Sequence, residues 1–419
     1  MHPVQRAHSA LPTPSSARIS VAAFAQFTVF GVSSASWLSR LPAIKREFEL
    51  SDSQFGAYLL VISLGGLIAL FIVGGVVARL GGPRSARAAA VVYILAMLLL
   101  CAALLTTNGV LLLLALAACG FAGASTNVPM NLAASDIGRR VGRENLSQFH
   151  ALYSIGAVLG AGIGSLSARL EVAAAAQVAS VGLAAGIVMF LLAPAMFDKA
   201  ASGAAGGAQR GAGGPLAMLR TSLRAWREPR TIKIGALVFF GSLSEGTANA
   251  WLAIAIVSGF SASEATGALA LSVFTAAMTI GRFLGPVVIG SLGRPRTVIV
   301  TGVIGATGLS LFVLSPLGPA MWTGIVLWGI GAALSGPLAI AAAADDPAGA
   351  ASRLAVASSC GSAAEIAAPP AFGALAQAVG PRHMLLAVVL AIGATLVLSP
   401  AVKPLKQSAK SDGPDPERS

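Results

Sequence analysis

Residues 53–79 read SQFGAYLLVISLGGLIALFIVGGVVAR, an apolar run whose one charged residue stands at its end. A bilayer core about 30 Å thick requires about 20 residues of helix, so this run is long enough to cross it. Backbone N–H and C=O groups in lipid must be satisfied within the segment, which predicts a helix. Eleven further runs fill the chain, at 18–39, 85–106, 109–137, 147–170, 173–197, 231–258, 263–291, 296–315, 318–344, 351–378 and 383–402. The sequence therefore predicts an all-α integral membrane protein with twelve transmembrane helices.

The composition agrees with this class. Hydrophobic residues make up 56% of the chain, charged residues make up 11%, and the mean hydropathy is +0.80. Soluble domains carry about 25% charged residues. The net charge of +12 could indicate a nucleic-acid partner, but the positive charge lies in loops and not on one soluble face. We therefore expect no nucleic acid. The three cysteines lie in apolar runs, and we interpret them as packing residues without a disulfide: Cys101, Cys119 and Cys360.

The loop charges predict the orientation. With the N-terminus inside, Lys and Arg number 22 in the inner tails and loops and 5 in the outer loops. Basic residues stay on the cytoplasmic side, so we expect both termini in the cytoplasm and a location in the bacterial cytoplasmic (plasma) membrane. The first apolar run is too long for the h-region of a cleavable signal peptide.

The runs divide into two groups of six. We expect a cytoplasmic tail at 1–17, a first six-helix bundle at 18–197, a cytoplasmic linker at 198–230, a second bundle at 231–402 and a cytoplasmic tail at 403–419. Residues 199–214 are a flexible linker by composition. The apolar residues that follow recur at helical spacing, which indicates a short amphipathic helix on the lipid surface, with an irregular basic loop as the alternative: Leu216, Leu219, Leu223 and Trp226.

The two groups repeat each other weakly. The segment 80–84 (LGGPR) follows the second run, and the segment 292–296 (LGRPR) follows the eighth, 212 residues later. Further pairs match at a spacing of 209: Gly120 with Gly329, Ala134 with Ala343, Asp136 with Asp345, and Gly164 with Gly373. Two parallel six-helix halves form a known transporter plan, in which substrate binds near the midplane between pseudo-symmetric bundles.

The loops after the second and eighth runs resemble the signature Gly-x-x-x-Asp-Arg-x-Gly-Arg-Arg of the major facilitator superfamily. Ala78 stands where that signature has its aspartate, and the second copy, GPVVIGSLGRPR, also lacks the acid. The resemblance implies two gating loops, the first with Gly74, Arg79, Gly81 and Arg84, and the second with Gly293, Arg294 and Arg296. Without the carboxylate we expect a latch that is weaker or differently built.

A narrower resemblance covers nearly the whole chain. The segments 39–60, 127–131, 148–162, 244–251 and 368–376 resemble the MosC/YbjJ-like branch of that superfamily. The branch has Asp-x-x-Met-Asn in span 4 and Glu-Gly-x-x-x-Asp-Trp in span 7. This chain has Asn127 and Ala250 at the two aspartate positions, which removes two acids that could couple transport to protons. The Gly-Pro motif of antiporters in span 5 is also incomplete, since Ala161 follows Gly160.

Three charged residues lie near the middle of their runs: Glu245, Arg282 and Glu365. A charge at the bilayer centre costs about 2.5–3.5 kcal/mol on insertion scales, so such residues have a role. We interpret Glu245 as a substrate contact or proton carrier, with a paired structural acid as the alternative. Glu365 and Arg282 are expected to pair with each other, or to separate when Glu365 is protonated during transport. Trp251 is expected to anchor its helix at the membrane interface, with stacking on a ligand as the alternative.

Polar residues of the first half complete the candidates. Asn127 and Asn131 are four residues apart and share a helix face, with Pro129 interrupting the backbone hydrogen bonds between them. We expect both to line the cavity, and interhelical hydrogen bonding is the alternative. His150 near the cytoplasmic start of span 5 is interpreted as a packing or gate residue, with proton coupling as the alternative. Gln26 is a further cavity candidate, together with three serines of its run: Ser33, Ser34 and Ser36.

The chain contains no GxxxxGK[ST] loop and no HExxH motif, and its four histidines do not cluster with cysteines. We therefore expect no enzyme, no metal site and no cofactor, and an ion gradient, that of the proton, as the energy source. The sequence predicts a monomeric secondary active transporter that moves a small organic solute across the bilayer by alternating access, with a sugar-like compound as one candidate. The alternatives are a proton-coupled multidrug or metabolite efflux antiporter and a transport-inactive membrane sensor.

Overall fold

The computed structural model describes residues 14–141, 146–197, 224–316, 318–346 and 349–405. Within these ranges the chain forms fourteen α-helices and no strand. The helices of the first half are α1 Pro14–Leu38, α2 Leu41–Glu47, α3 Asp52–Leu80, α4 Gly82–Thr106, α5 Gly109–Val141, α6 Leu146–Arg169 and α7 Ala174–Leu192. Those of the second half are α8 Pro229–Phe260, α9 Glu264–Leu292, α10 Arg294–Leu314, α11 Pro319–Ala332, α12 Ser335–Ala343, α13 Ala350–Val379 and α14 Leu386–Leu398.

These helices form twelve membrane-crossing rods. Ten segments of the described chain are long and apolar enough to span a bilayer by length and composition, and α1–α2 and α11–α12 each count as one segment. The other two rods are the long helices α8 and α13, which carry Glu245 and Glu365. The predicted twelve-helix class is confirmed. The amphipathic helix expected after Pro215 falls largely within residues 198–223, which lie outside the described ranges, and the domain bounds stay a prediction.

Six rods pack into each of two bundles. In the first, α6 packs on α1, and α5 packs on both α3 and α4. In the second, α8 packs on α13 and α14, and α11 packs on α9 and α10. The bundles meet through two helix pairs, α3 with α13 and α6 with α9. In the internal repeat, α3 corresponds to α9, and α6 corresponds to α13. The contact of α3 with α13 is therefore the repeat equivalent of the contact of α9 with α6.

The repeat is visible in the backbone. Gly81 and Gly293 have φ of 74° and ψ of 166° and 159°, a conformation that favours glycine, and each joins two rods by a single residue. Their carbonyls accept hydroxyl hydrogen bonds from Ser85 at 2.8 Å and Thr297 at 2.9 Å. At the opposite ends of the same rods, Ser51 and Ser263 cap the starts of α3 and α9. Each of these pairs is 212 residues apart, so the halves share both the loop and the helix cap.

We name two faces of the molecule, the linker side and the far side. The linker side contains Gly81 and Gly293, together with Phe197 and Glu228, which stand before and after the linker. The far side contains the α1–α2 junction at Arg40 and the start of α9. The names refer only to the linker between the bundles.

Glycines let α3 and α5 approach closely within the first bundle. A Cβ added at Gly120 would lie 1.8 Å from the carbonyl oxygen of Ile62, and one added at Gly65 would lie 2.1 Å from that of Ala117. Association in lipid depends on such close packing, since lipid tails are as apolar as the side chains.

We expect Gly120→Ala to lower the stability of the purified protein, because α3 and α5 must separate to admit the methyl group. Overpacking of this kind costs about 1–3 kcal/mol. The midpoint of thermal unfolding in detergent measures the effect. Gly75→Ala is the matched control, since a Cβ at Gly75 meets no atom within 4 Å. An equal loss of stability in both variants would contradict the packing argument.

Candidate functional site

A cavity of about 780 Å³ lies between the two bundles. Its size is typical of small-molecule sites. Helices of both halves line it, and most of its wall is apolar. The polar lining residues are Ser34, Ser63, Tyr93, Asn127, Asn131, Tyr153, Ser242, Thr247, Asn249, Trp251, Ser362 and Glu365. Among the lining residues of the described chain, Glu365 carries the one charge.

The asparagine pair forms part of the wall contributed by the first half. Asn127 and Asn131 lie on one face of α5, and Nδ2 of Asn131 donates a hydrogen bond to Oδ1 of Asn127. Oδ1 of Asn131 is buried and has no hydrogen-bond partner among the described residues. The pair thus offers amide groups to the cavity, and its part in binding stays a prediction.

Arg282 pairs with Glu245, so the prediction that Arg282 pairs with Glu365 is wrong. Nη2 of Arg282 donates to Oε2 of Glu245 at 2.8 Å, which joins α9 to α8. Nε of Arg282 donates to the carbonyl oxygen of Ala333 at 3.4 Å. Pro337 stands four residues after Ala333 and has no N–H, so the usual helical donor to that carbonyl is missing. The guanidinium of Arg282 donates to it at the break between α11 and α12.

Glu365 faces the cavity instead. Its side chain is exposed there, and its carboxylate has no ion-pair partner among the described residues. Its backbone carbonyl accepts a hydrogen bond from the Ser63 hydroxyl at 2.8 Å, across the contact between α3 and α13. Position along the sequence placed Glu365 and Arg282 near the middle of the bilayer, but their side chains lie on helix faces that do not meet. Glu365 is thus the carboxylate that a solute or proton in the cavity can reach.

Trp251 is buried, so the prediction of a membrane-interface anchor is wrong. Its side chain is 1% exposed and meets the ring of Phe55 edge to face, with 5.4 Å between ring centroids. Trp251 lines the cavity, but its Nε1 has no hydrogen-bond partner among the described residues. The contact of Trp251 with Phe55 joins α8 to α3, and the indole N–H of Trp251 stays available to a solute in the cavity.

The remaining candidates lie around the cavity. His150 contacts the ring of Phe27 edge to face, with 5.7 Å between the ring centroids. Gln26 is 1% exposed and is absent from the cavity lining, because it packs inside the first bundle. Of the serines proposed from its run, Ser34 lines the cavity, whereas Ser33 accepts a hydrogen bond from Tyr93 and Ser36 accepts one from Gln177.

Contacts between the halves close the cavity on the far side. Glu264 at the start of α9 binds Arg46 and lies 3.9 Å from Arg40, both of the first half. A Cβ on Gly56 of α3 would lie 2.8 Å from Cα of Gly373 of α13, so two backbones touch there. Ser165 donates to the carbonyl of Ala265 at 2.8 Å in the second helix pair. We call the contact of Glu264 with Arg40 and Arg46 the far-side latch.

The gating-loop candidates lie on the linker side. Gly74, Arg79 and Arg84 of the first copy are exposed, and a Cβ on Gly74 meets no atom within 4 Å. Arg296 of the second copy is also exposed. The far side is closed in this structure by the contacts described above, and the part of the linker-side residues in gating stays a prediction.

The second copy of the loop obtains its carboxylate from another helix end. Asp345, just after α12, accepts hydrogen bonds from Arg294 at 2.6 Å and from Arg230 at 2.8 Å. Asp345 thus gives the second copy of the loop a carboxylate partner within the second half, and its part in a latch stays a prediction.

A second ion-pair group lies beside it. Arg353 donates to Glu228 at 2.7 Å and to Asp346 at 3.1 Å. The hydrogen bonds from Arg353 and Thr231 lower the pKa of the Glu228 carboxyl. This stabilising contribution is present at neutral pH and is lost as the pH falls through the lowered pKa.

The comparisons with known proteins give the family. Residues 22–369 match the sequence model of the Major Facilitator Superfamily, so the chain belongs to that superfamily and is a multi-pass membrane transporter. It is 30% identical over 386 residues to an uncharacterised transporter of Sinorhizobium fredii, which covers 90% of this chain and 97% of that relative. It is 24% identical over 377 residues to the membrane protein MosC of Rhizobium meliloti, with 88% and 86% covered. The predicted family resemblance is confirmed.

Solved structures show the same fold at low sequence identity. The nucleoside transporter NupG is 14% identical with a TM-score of 0.70, and the match covers 93% of this chain and 98% of that one. The Escherichia coli fucose:proton symporter FucP is 14% identical with a TM-score of 0.61, covering 91% and 98%.

A double-mutant cycle tests the ion pair of Glu245 with Arg282. Glu245→Gln and Arg282→Gln should each destabilise the protein, and the double variant should lose less than their sum, because each single change leaves a partly buried charge unpaired. We expect a coupling of about 1–2 kcal/mol in unfolding measurements. Glu365→Gln combined with Arg282→Gln is the control and should be additive. Coupling in the control cycle, with none in the first, would restore the pairing predicted from the sequence.

Glu264→Gln tests the far-side latch. Loss of the carboxylate should increase opening on the far side by about two- to fivefold, the usual effect of a partly exposed ion pair. The rate at which a membrane-impermeant maleimide added from that side labels Asn249→Cys measures the opening, after the three native cysteines are replaced. Lys45→Gln is the control, since Lys45 pairs with Asp52 inside the first half. Equal labelling rates in both variants would exclude the latch.

Proposed function

We propose that the protein is a secondary active carrier that moves a small polar organic solute by alternating access. In the described state the far-side latch and the contact of Gly56 with Gly373 close the cavity on the far side, and in our proposal the linker side is the open one. The opposite state would open these contacts and close α3 and α9 on the linker side. The proposal includes a monomer in the bacterial inner membrane with both termini in the cytoplasm.

The observation that carries the proposal is the cavity between the halves, lined by both and closed on one side. Asn127 and Asn131 supply amides from the first half, and Thr247, Trp251 and Glu365 supply a hydroxyl, an indole N–H and a carboxylate from the second. A solute held by both halves would be released as they rock apart, which is how a binding site between two bundles couples to their motion.

The unpartnered polar atoms favour a hydroxyl-bearing solute. Oδ1 of Asn131, Oγ1 of Thr247 and Nε1 of Trp251 are buried beside the cavity without partners in the described chain. A buried polar group without a partner costs about 1–3 kcal/mol, so a solute that both donates and accepts hydrogen bonds gains by binding there. With Glu365 as the one charge in the lining, the site disfavours anions. A neutral, sugar-like compound fits these groups.

Glu365 is the proposed proton carrier. It is accessible from the cavity and has no cationic partner among the described residues, whereas Glu245 is paired with Arg282. Of the structural neighbours, FucP is named a proton symporter, which supports proton coupling for this fold without extending it to this chain.

Transport by the purified protein in proteoliposomes tests the function. A panel of neutral polyols, sugars, nucleosides, organic acids and amphiphilic cations, each with and without an inward proton gradient, should show gradient-driven accumulation of a neutral hydroxylated compound. Gradient-driven expulsion of amphiphilic cations would instead indicate an efflux antiporter. Binding without any flux across the whole panel would indicate a sensor.

Glu365→Gln should abolish proton-driven accumulation and leave exchange of solute between the two sides. An amide has the shape of the protonated carboxyl and, like it, both donates and accepts hydrogen bonds, but it cannot release a proton at neutral pH. Accumulation and counterflow of the same labelled solute measure the two steps separately. Glu245→Gln is the control, because it affects a paired acid outside the cavity lining. Wild-type accumulation in the Glu365 variant would remove this residue from the coupling step.

A further inference from the structure

A second pocket lies on the outer surface of the second bundle at its linker-side edge. Its volume is about 510 Å³, and it is lined by the start of α8 and by the end of α14 with the residues that follow. The basic residues of its wall are Arg230, Lys233 and Lys403. None of these residues lines the central cavity.

Arg230 builds the wall of this pocket. Its Nε donates to the carbonyl of Ala401 at 3.2 Å, and its Nη2 donates to the carbonyl of Lys403 at 3.0 Å. These bonds hold the chain after α14 against the start of α8. Nη2 also binds Asp345, so the charge of Arg230 is already compensated.

Two lysines supply the remaining charge. Lys233 and Lys403 are exposed, and neither has an ion-pair partner among the described residues. They flank one pocket, and Asp345, the acid that binds Arg230 of its wall, is already shared by Arg230 and Arg294. Two uncompensated ammonium groups at one pocket favour an anionic ligand, and their position at the end of the membrane-crossing helices is the level of phospholipid headgroups.

An apolar stripe extends from the pocket along α14. Val397 in the pocket wall is 80% exposed, Leu390 two turns earlier on the same face is 78% exposed, and Leu405 at the rim is 46% exposed. Residues seven apart share a helix face. A free phosphate gains nothing from contact with these apolar side chains, whereas an acyl chain can lie along them and bury apolar surface.

We propose that this pocket binds the headgroup of an anionic phospholipid, with its phosphate between Lys233 and Lys403 and an acyl chain along Leu390 and Val397. Basic pockets between transmembrane helices are known sites for such headgroups. The ligand bridges α8 and α14, which are the first and last rods of the second bundle, and it stabilises the contact between them. This inference is independent of the transported solute.

Native mass spectrometry of the full-length protein in detergent tests the site, with phosphatidylglycerol and phosphatidylcholine of identical acyl chains as probes. Phosphatidylglycerol should bind more tightly. The variant Lys233→Gln with Lys403→Gln should weaken that binding by about thirtyfold, since each lysine near an anionic surface contributes about 1 kcal/mol. Lys403→Gln alone, at a residue beyond the last α-helix, should weaken it by about fivefold and cannot disturb the membrane-crossing part of the fold.

The matched control is Arg84→Gln with Arg296→Gln, which removes two exposed charges from the same side outside the pocket. It should retain the binding of phosphatidylglycerol. An equal loss in this control would show a general effect of charge, and unchanged binding in the lysine variants would exclude the site. Inorganic phosphate that displaces the lipid at equal concentration would show that the pocket takes a free anion and would overturn the lipid assignment.

Discussion

Every polar group that enters the bilayer core needs a partner inside the protein, and this constraint governs the structure. Helices satisfy it for most of the backbone, which is why the described chain consists of rods without strands. Pro337 breaks the rule locally by withdrawing an N–H from the carbonyl of Ala333, and the guanidinium of Arg282 takes its place. That guanidinium in turn requires Glu245. Arg282 thus connects the missing N–H of Pro337 to Glu245, and its pair with Glu245 is the one ion pair within the membrane in the described part of the second half.

The same constraint explains why the central cavity is suited to bind a polar solute. In the core of the first bundle, polar side chains pair with one another, as Tyr93 with Ser33 and Gln177 with Ser36 show. Beside the cavity, Asn131, Thr247 and Trp251 each leave a buried atom without a partner among the described residues. Water or a solute can satisfy such atoms in an open cavity, whereas lipid cannot. Three of the groups that the described fold leaves unsatisfied therefore lie between the halves, where the proposed alternating access would expose them to each side in turn.

The two sides of the molecule are held by different interactions. On the far side, contacts cross from one half to the other: the far-side latch at Glu264, and the approach of Gly56 to Gly373. On the linker side, the ion pairs of Asp345 and Glu228 stay within the second half and tie its own helix ends together. Bonds within a half keep it rigid, and bonds between halves can break as the halves rock. This division is what a two-bundle carrier requires, since each half must move as a unit.

The sequence by itself determined the class, the twelve rods, the repeat and the family, because length, hydropathy and the 212-residue spacing of LGGPR and LGRPR are properties of the chain alone. It also placed Glu245, Arg282 and Glu365 at similar depth, since depth follows from position along a helix. Only the tertiary structure decided which of them meet. Partners depend on the direction that each helix face takes, and a break such as that at Ala333 changes this direction without changing the depth. The same reason accounts for Trp251, whose place near a helix end suggested the membrane interface, whereas its face packs inward on Phe55.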